Sequence, residues 1–331
     1  MIEVSLDNTW RMAMRRTYRF FHTAVVLTLA TLAACAKEKP AADTTAAQSG
    51  AAAAATAAKV GETDGFKTPE SVRYDPELDV YYISNINGNP SQRDNNGFIS
   101  KVRADSTGVV TMLVEGGKNG VTLNAPKGMA LKGDTLFVAD VDAVRMFNRR
   151  TGASLGSVDL RAQKATFLND VAAGPDGIYV TDTGVAFDEK GGMTHPGVNR
   201  IFKIVGRTAT EAAKGDSLGN PNGIAWDATN NRFVLAPFGS PNLQLWTSGQ
   251  ANPATLVAGP GGYDGVEVLG NGNILVSSWA DSTVQIVHGG SHMMPLVKGV
   301  AAPADIGVDT KRNVVAVPRF NDNKVEYYKI P

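Results

Sequence analysis

From about residue 65 to the C terminus, apolar residues alternate with polar ones in short runs separated by Gly, Asn and Asp, and no helical spacing appears. One phrase recurs: a short polar or glycine-containing start, an alternating apolar strand, a turn and a second apolar strand. It reads ESVRYDPELDVYYISN from Glu70, KGMALKGDTLFVAD from Lys127 and NDVAAGPDGIYVTD from Asn169. It returns as NGIAWDATNNRFVLAP from Asn222, DGVEVLGNGNILVSS from Asp264 and ADIGVDTKRNVVAVP from Ala304. Each copy continues into a third strand, beginning at Phe98, Ala143, Arg200, Asn242, Thr283 and Lys324. Outer strands are predicted at VVTMLVE, ASLGSVDL, ATLVAG and MMPLVKG. The last copy stops after its third strand, so residues near 60–67 are expected to supply the fourth and close a ring. A strand repeat of this period predicts an all-β fold, a six-bladed β-propeller of four-stranded antiparallel blades; the central divalent-cation site expected in it rests on the residues that head the copies.

The first position of each phrase carries the chemistry. In order it holds Glu70, Lys127, Asn169, Asn222, Asp264 and Ala304, with Asp305 one step later in the last copy. In a blade of antiparallel strands, the starts of the first strands share one face with the loops between second and third strands. That face therefore gathers these residues beneath the loops Asn85–Asn96, Asp182–Asn199 and Pro237–Pro241, one of which contains His195. Two readings compete. Asn-Gly and Asp-Gly pairs form turns wherever a chain enters a strand. Alternatively, Glu70, Asn222 and Asp264, with Asn169 as a fourth, are hard oxygen donors around one divalent cation. Ca²⁺ suits such a set best, with Mg²⁺, Mn²⁺ or Zn²⁺ also acceptable. Convergent carboxylates repel without a cation, and four oxygen-bearing residues in register favour the site over the turn. His195 is a reserve candidate for substrate contact, whereas His288 and His292 read as outer-blade residues.

The first 60 residues add a compartment. A basic stretch, RMAMRRTYRFFH, precedes the apolar run TAVVLTLATLAA, which is shorter than a membrane span and of signal-peptide length. It ends in Leu32-Ala33-Ala34-Cys35, and Cys35 is the sole cysteine, so no internal disulfide is possible. The stretch resembles a bacterial lipoprotein signal, which implies cleavage before a lipidated Cys35, and Ala36 favours the outer membrane. Met12 or Met14 gives a more typical start than Met1. The expected organisation is a signal peptide over 1–34, an Ala/Thr/Ser-rich disordered tether over 35–60 and the propeller over 61–331. Basic and acidic residues balance at 32 each, so nothing points to nucleic acid as a partner. A monomer facing the periplasm, touching membrane only through Cys35, is expected.

The phrases TPESVRYDP, FLNDVAAGPDG, PNGIAWD and YDGVEVL resemble the four motifs of the regucalcin/gluconolactonase family of six-bladed propellers, and the likeness spans 65–331. The resemblance implies that Glu70, Asn222 and Asp264 hold one divalent cation, and that Asn169 beside it contacts substrate or a metal-bound water. It implies hydrolysis of a lactone or related ester, with Asp264 as general base. Two positions depart from the pattern. Phe167 stands where members that hydrolyse gluconolactone carry a basic residue, and Lys127 stands where the family has a neutral one. Lys127 would bind a substrate carboxylate or pair with Asp305. Paired catalytic histidines, as in paraoxonases, are not found. Two further readings remain open: a non-catalytic propeller of the NHL type that captures a small ligand or protein partner, and an outer-membrane assembly scaffold.

Overall fold

The computed structural model describes residues 56–331. The signal segment, Cys35 and the tether up to residue 55 lie outside the described residues. Alternation alone does not make a ring; the ring follows from what each strand face must cover. Six four-stranded antiparallel sheets form in chain order. Blade 1 comprises Pro69–Asp75, Val80–Asn85, Phe98–Arg103 and Val110–Glu115, and blade 2 comprises Pro126–Lys132, Thr135–Asp140, Ala143–Asn148 and Ser154–Asp159. Blade 3 is built from Leu168–Gly174, Gly177–Asp182, Arg200–Val205 and Thr208–Lys214, and blade 4 from Pro221–Asp227, Arg232–Pro237, Asn242–Trp246 and Ala254–Ala258. Blade 5 uses Tyr263–Val268, Ile274–Ser278, Thr283–His288 and His292–Lys298. Blade 6 joins Gly307–Asp309, Val314–Arg319 and Lys324–Lys329 to Ala58–Asp64, which supplies the outer strand as expected but starts three residues ahead of position 61.

Each second strand is buried on both faces, so its alternation sorts side chains between neighbours and not between core and solvent. Tyr81 and Ile83 pack towards blade 6, while Val80 and Tyr82 pack towards blade 2. Six apolar clusters result, one at every blade interface. Burying one such aliphatic side chain contributes about 1.5–3 kcal/mol, so these interfaces hold the ring. Trp226 packs on Phe233 (ring centroids 4.7 Å apart) at the interface between blades 3 and 4.

The outer strand of blade 3, Thr208–Lys214, carries no apolar alternation to reveal it, and most of its residues are exposed or half-buried. This outer strand needs little hydrophobicity, because its side chains are little covered by the neighbouring blades. Two further short strands, Ala186–Phe187 and Met193–Thr194, pair as a hairpin within the long loop of blade 3. Among the described residues there is no α-helix, only 3-10 turns at Arg161–Gln163 and Asp216–Leu218.

Candidate functional site

The inner strands share a distortion that sequence alternation does not reveal. In blades 1 to 5 the register slips where the repeated phrase begins: between Pro69 and Val72, Pro126 and Met129, Leu168 and Val171, Pro221 and Gly223, and Tyr263 and Val266. Such a bulge re-aims the side chains beside it. The first-position residues therefore turn towards the mouth, while the apolar residues two places on return to the blade interfaces.

Hydroxyls on the second strands satisfy the backbone at three of these bulges; in blade 1, Ser84 Oγ accepts from Ser71 N at 2.9 Å. Thr181 Oγ1 accepts from Asp170 N at 2.9 Å and donates to Asn222 O at 2.7 Å. Ser277 Oγ accepts from Gly265 N and donates to Ala304 O, both at 2.8 Å. Neighbouring inner strands then approach so closely that only glycine fits. A Cβ on Gly128 would lie 2.1 Å from Asp170 Oδ1, and one on Gly265 would lie 2.4 Å from Asp305 Oδ1.

At the mouth, Glu70, Lys127, Asn169, Asn222 and Asp264 are 1–6% exposed. Three of them present an oxygen without a partner: Glu70 Oε2, Asn169 Oδ1 and Asp264 Oδ1. Their other contacts fix how they sit. Trp279 Nε1 donates to Asp264 Oδ2 at 2.8 Å, and Asn169 Nδ2 donates to Thr183 Oγ1 at 3.0 Å. Burial pushes the Glu70 and Asp264 carboxyls well above the usual range. Asp264 and Asp305 add to this at Glu70, with Lys127 opposing. Asp305 adds to it at Asp264, with Trp279 and Asn222 opposing.

Lys127 is the one cation in the ring. Its Nζ donates to Ala125 O at 3.0 Å and sits 4.2 Å from the centre of the Phe167 ring. Burial brings its pKa down to about 8, against the pull of Glu70, Asp140 and Asp142. It forms no ion pair with Asp305, which instead accepts from Ser71 Oγ at 2.5 Å. The departures at 127 and 167 are thus one arrangement, a buried ammonium resting on an aromatic face. His195 is exposed, follows the short hairpin and makes no hydrogen bond to a ring residue. His288 and His292 lie on the third and outer strands of blade 5.

A second polar layer was not foreseen. Arg73 of blade 1 reaches across the axis to Glu267 of blade 5 (Nη1 to Oε1 2.5 Å) and donates through Nε to Met129 O of blade 2 at 2.7 Å. Asp170 accepts from Val171 N at 2.6 Å and from Ile224 N at 2.8 Å, bracing blade 3 to blade 4. Burial raises the Asp170 carboxyl to about 7, against Arg73 and these N–H donors. Asp305 and Asp170 each stand one place after a first position; the sequence singles out Asp305 there, and reading that position in every copy would have added Asp170. Arg73 and Glu267 are single departures at a position otherwise held by Ala or Gly, so only their charge marks them.

Loops close over the mouth. Asn89 Nδ2 donates to Asp188 O at 2.8 Å and Phe187 N donates to Ser91 Oγ at 2.9 Å, clasping the long loops of blades 1 and 3. The Phe187 ring stands 5.7 Å from Phe167. Two surface cavities, of about 510 Å³ beside Leu78 and Met112 and about 200 Å³ beside Tyr179 and Trp226, lie away from the ring.

The architecture is that of a six-bladed β-propeller with a polar ring in its mouth. Solved structures share the fold. One is a presumed gluconolactonase, 17% identical, with a TM-score of 0.62 over 84% of this chain and 92% of that one. Another is the calcium-binding protein regucalcin from Agrobacterium tumefaciens, 13% identical, with a TM-score of 0.61 over 84% of this chain and 96% of that one. At such identities the likeness establishes the fold. No protein-family model and no curated protein matches the chain.

Proposed function

We propose that this propeller is a metal-dependent hydrolase of a lactone or related ester, held at the bacterial cell envelope by a lipid on Cys35. The observation that carries the reading is the set of buried, partnerless oxygens at Glu70, Asn169 and Asp264. Buried polar atoms ordinarily find partners, and three orphans at equivalent places in one mouth fit a cation site better than a set of turns. Among the described residues no three His, Cys, Asp or Glu side chains form a metal cluster. The donor set is instead mixed, two carboxylates with two amides, which suits a hard cation with water completing its shell. The fold neighbour named as calcium-binding supports Ca²⁺ over Mg²⁺, Mn²⁺ or Zn²⁺.

Glu70, Asn222 and Asp264 would hold the cation, with Asn169 beside it. Bound there, it would supply Lewis-acid polarisation of the acyl oxygen. Asp264 then takes the proton of the attacking water. The water oxygen bonds to the acyl carbon, the ring C–O bond breaks, and the departing alkoxide takes the proton back from Asp264, so that a hydroxy acid leaves. The Trp279 N–H pins Oδ2 of Asp264, so Oδ1 is the oxygen left open to the cation and the attacking water. Lys127 offers donors to a substrate or product carboxylate, because its ammonium has no acidic partner of its own. His195, an expected substrate contact, would require the hairpin loop to move.

A form beginning at residue 56 tests this. Elemental analysis should find a stoichiometric divalent metal, and γ-butyrolactone should be hydrolysed. Asp264→Asn should lower kcat about 10²- to 10⁴-fold, the usual worth of a general base. Undiminished turnover in that variant would sink the hydrolase reading. Metal and ligand binding without any turnover would favour the non-catalytic binding propeller. Radiolabelled palmitate incorporated into the full chain, and lost in Cys35→Ala, would test the anchor.

A further inference from the structure

The residue that follows the second strand of each blade lies beside the entry to the inner strand, so these residues form a second ring. Backbone bonds identify it blade by blade. Ile86 N donates to Thr68 O and Thr183 N to Phe167 O, and the same bond recurs from Phe238 N to Asn220 O, Trp279 N to Gly262 O and Phe320 N to Ala302 O. Val141 takes the place in blade 2, where its carbonyl accepts from Leu168 N. Five of these six residues are apolar, and one of them, Trp279, bonds the Asp264 carboxyl directly.

Their arrangement is not uniform. Phe238, Trp279 and Phe320 form a continuous aromatic arc over blades 4, 5 and 6, with ring centroids 6.0 and 5.4 Å apart and the rings edge-on. All three are half-buried, so each keeps an open face. Phe320 continues into a small buried cluster of Ile86, Ala125 and Val141, which carries the collar round to blades 1 and 2. Val141 is held there at φ 50°, a conformation that β-branched residues avoid, so the collar is maintained against local strain. The arc is tied to the chemistry through Trp279, whose N–H bonds Asp264. Lys127 stands in blade 2, across the ring from blade 5.

We infer that the arc is a specificity subsite for an aromatic substituent, so that the preferred substrate is an aryl-bearing lactone or ester and not a polyhydroxylated one. The inference rests on the hydrolase reading above. A hydroxyl-rich ligand lowered onto the ring would set its hydroxyls against ring faces that accept no conventional hydrogen bond. An aryl group there meets edges and faces at the separations aromatic pairs prefer. The ligand's carbonyl oxygen, itself an acceptor, then falls towards the cation that Glu70, Asn222 and Asp264 would hold and towards the Lys127 ammonium, which an aryl group could not serve as well.

Two pairs of probes differ by one phenyl group and separate this inference from hydrolysis itself. Hydrolysis compares γ-phenyl-γ-butyrolactone with γ-butyrolactone. Binding compares their non-hydrolysable lactams, 5-phenyl-2-pyrrolidinone and 2-pyrrolidinone, by calorimetry. The phenyl member should be favoured at least about tenfold in both kcat/KM and affinity, as one buried ring warrants. Phe238→Ala and Phe320→Ala should each pull that ratio towards unity, and Phe238→Leu should retain part of it. A ratio within one protein does not depend on how much of the sample is folded. Equal affinity for the two lactams, failure of both to bind, or a preference untouched by both alanine variants would overturn the inference. A lactam preference that collapses in the variants without turnover of either lactone would sustain the subsite and overturn the hydrolase reading alone.

Discussion

At the scale of single residues, the mouth separates what a repeat can signal from what it cannot. Glu70, Asn169, Asn222 and Asp264 were legible because they head copies of one phrase, and the ring brings equivalent positions together. Trp279, Phe238 and Phe320 were not, since each follows the second strand in a loop whose alignment with its counterparts depends on the bulges. The glycines one place after the ring hold their positions for a reason other than turn formation. Gly128 and Gly265 do not have left-handed backbones; they are where inner strands of adjacent blades nearly touch. A Cβ at Gly128 would also meet the Asp170 Cα at 2.5 Å, and backbone cannot swing aside. Gly128→Ala should therefore destabilise by about 1–3 kcal/mol or more, the range for overpacked cores. Gly270→Ala is the control, because nothing lies within 4 Å of the added methyl and its φ is not positive. That change should be neutral or stabilising by a few tenths of a kcal/mol, through the unfolded chain. Urea midpoints of the two variants test the contrast, and similar midpoints would refute the close-approach explanation.

At the scale of elements, the third strands starting at Phe98, Ala143, Arg200, Asn242, Thr283 and Lys324 match the sequence expectation, because apolar alternation and tight turns bound each of them. Thr208–Lys214 escaped, because an outer strand is chosen by backbone pairing and not by burial. The bulges escaped for a related reason: a bulge is a property of two strands in register, and one strand's sequence does not contain it. Its cost is visible in what repairs it. Asp170 N and Gly265 N turn away from the ladder and are met by Thr181 and Ser277 from the second strand. Ser277→Ala would leave Gly265 N–H and Ala304 C=O without this hydroxyl, and Thr181→Val would do the same to Asp170 N–H and Asn222 C=O. Each should cost about 1–3 kcal/mol, the penalty for stranding buried polar groups, although each replacement is no more polar and little different in size. Chemical denaturation of the two variants measures this. Either variant matching the parent would show that the bulges are held by packing alone.

At the scale of the whole molecule, the ring is closed by strands from opposite ends of the described chain. Ala58–Asp64 pairs antiparallel with Lys324–Lys329, and Glu62 faces Glu326 directly across that seam. Two like charges opposed in a sheet repel, so the seam depends on the cations placed around them. Glu326, only 4% exposed, accepts from Lys59 at 2.8 Å, Lys324 at 3.1 Å, Arg319 at 2.9 Å and Tyr328 at 2.7 Å. Burial alone would raise its carboxyl, but these four donors together overcome it and bring the pKa from 4.5 down to about 2. A carboxyl depressed by folding binds its proton more readily in the unfolded chain. Its stabilisation is therefore complete above about pH 4.5 and is lost as the pH falls towards 2. The mouth behaves in the opposite sense. Glu70, Asp264 and Asp305 are raised by burial, so without a cation their ionisation opposes folding as the pH rises. The seam and the mouth thus pull the acid limb of stability in opposite directions, and a single pH profile of the parent confounds them. Comparing the parent with Glu326→Gln removes the confusion, because both proteins carry the same mouth. The stability difference between them should be largest near neutral pH and shrink from pH 4.5 to 2, with the parent losing more. A difference that stays constant across that window would mean that the seam is held by its backbone pairing and not by its charges.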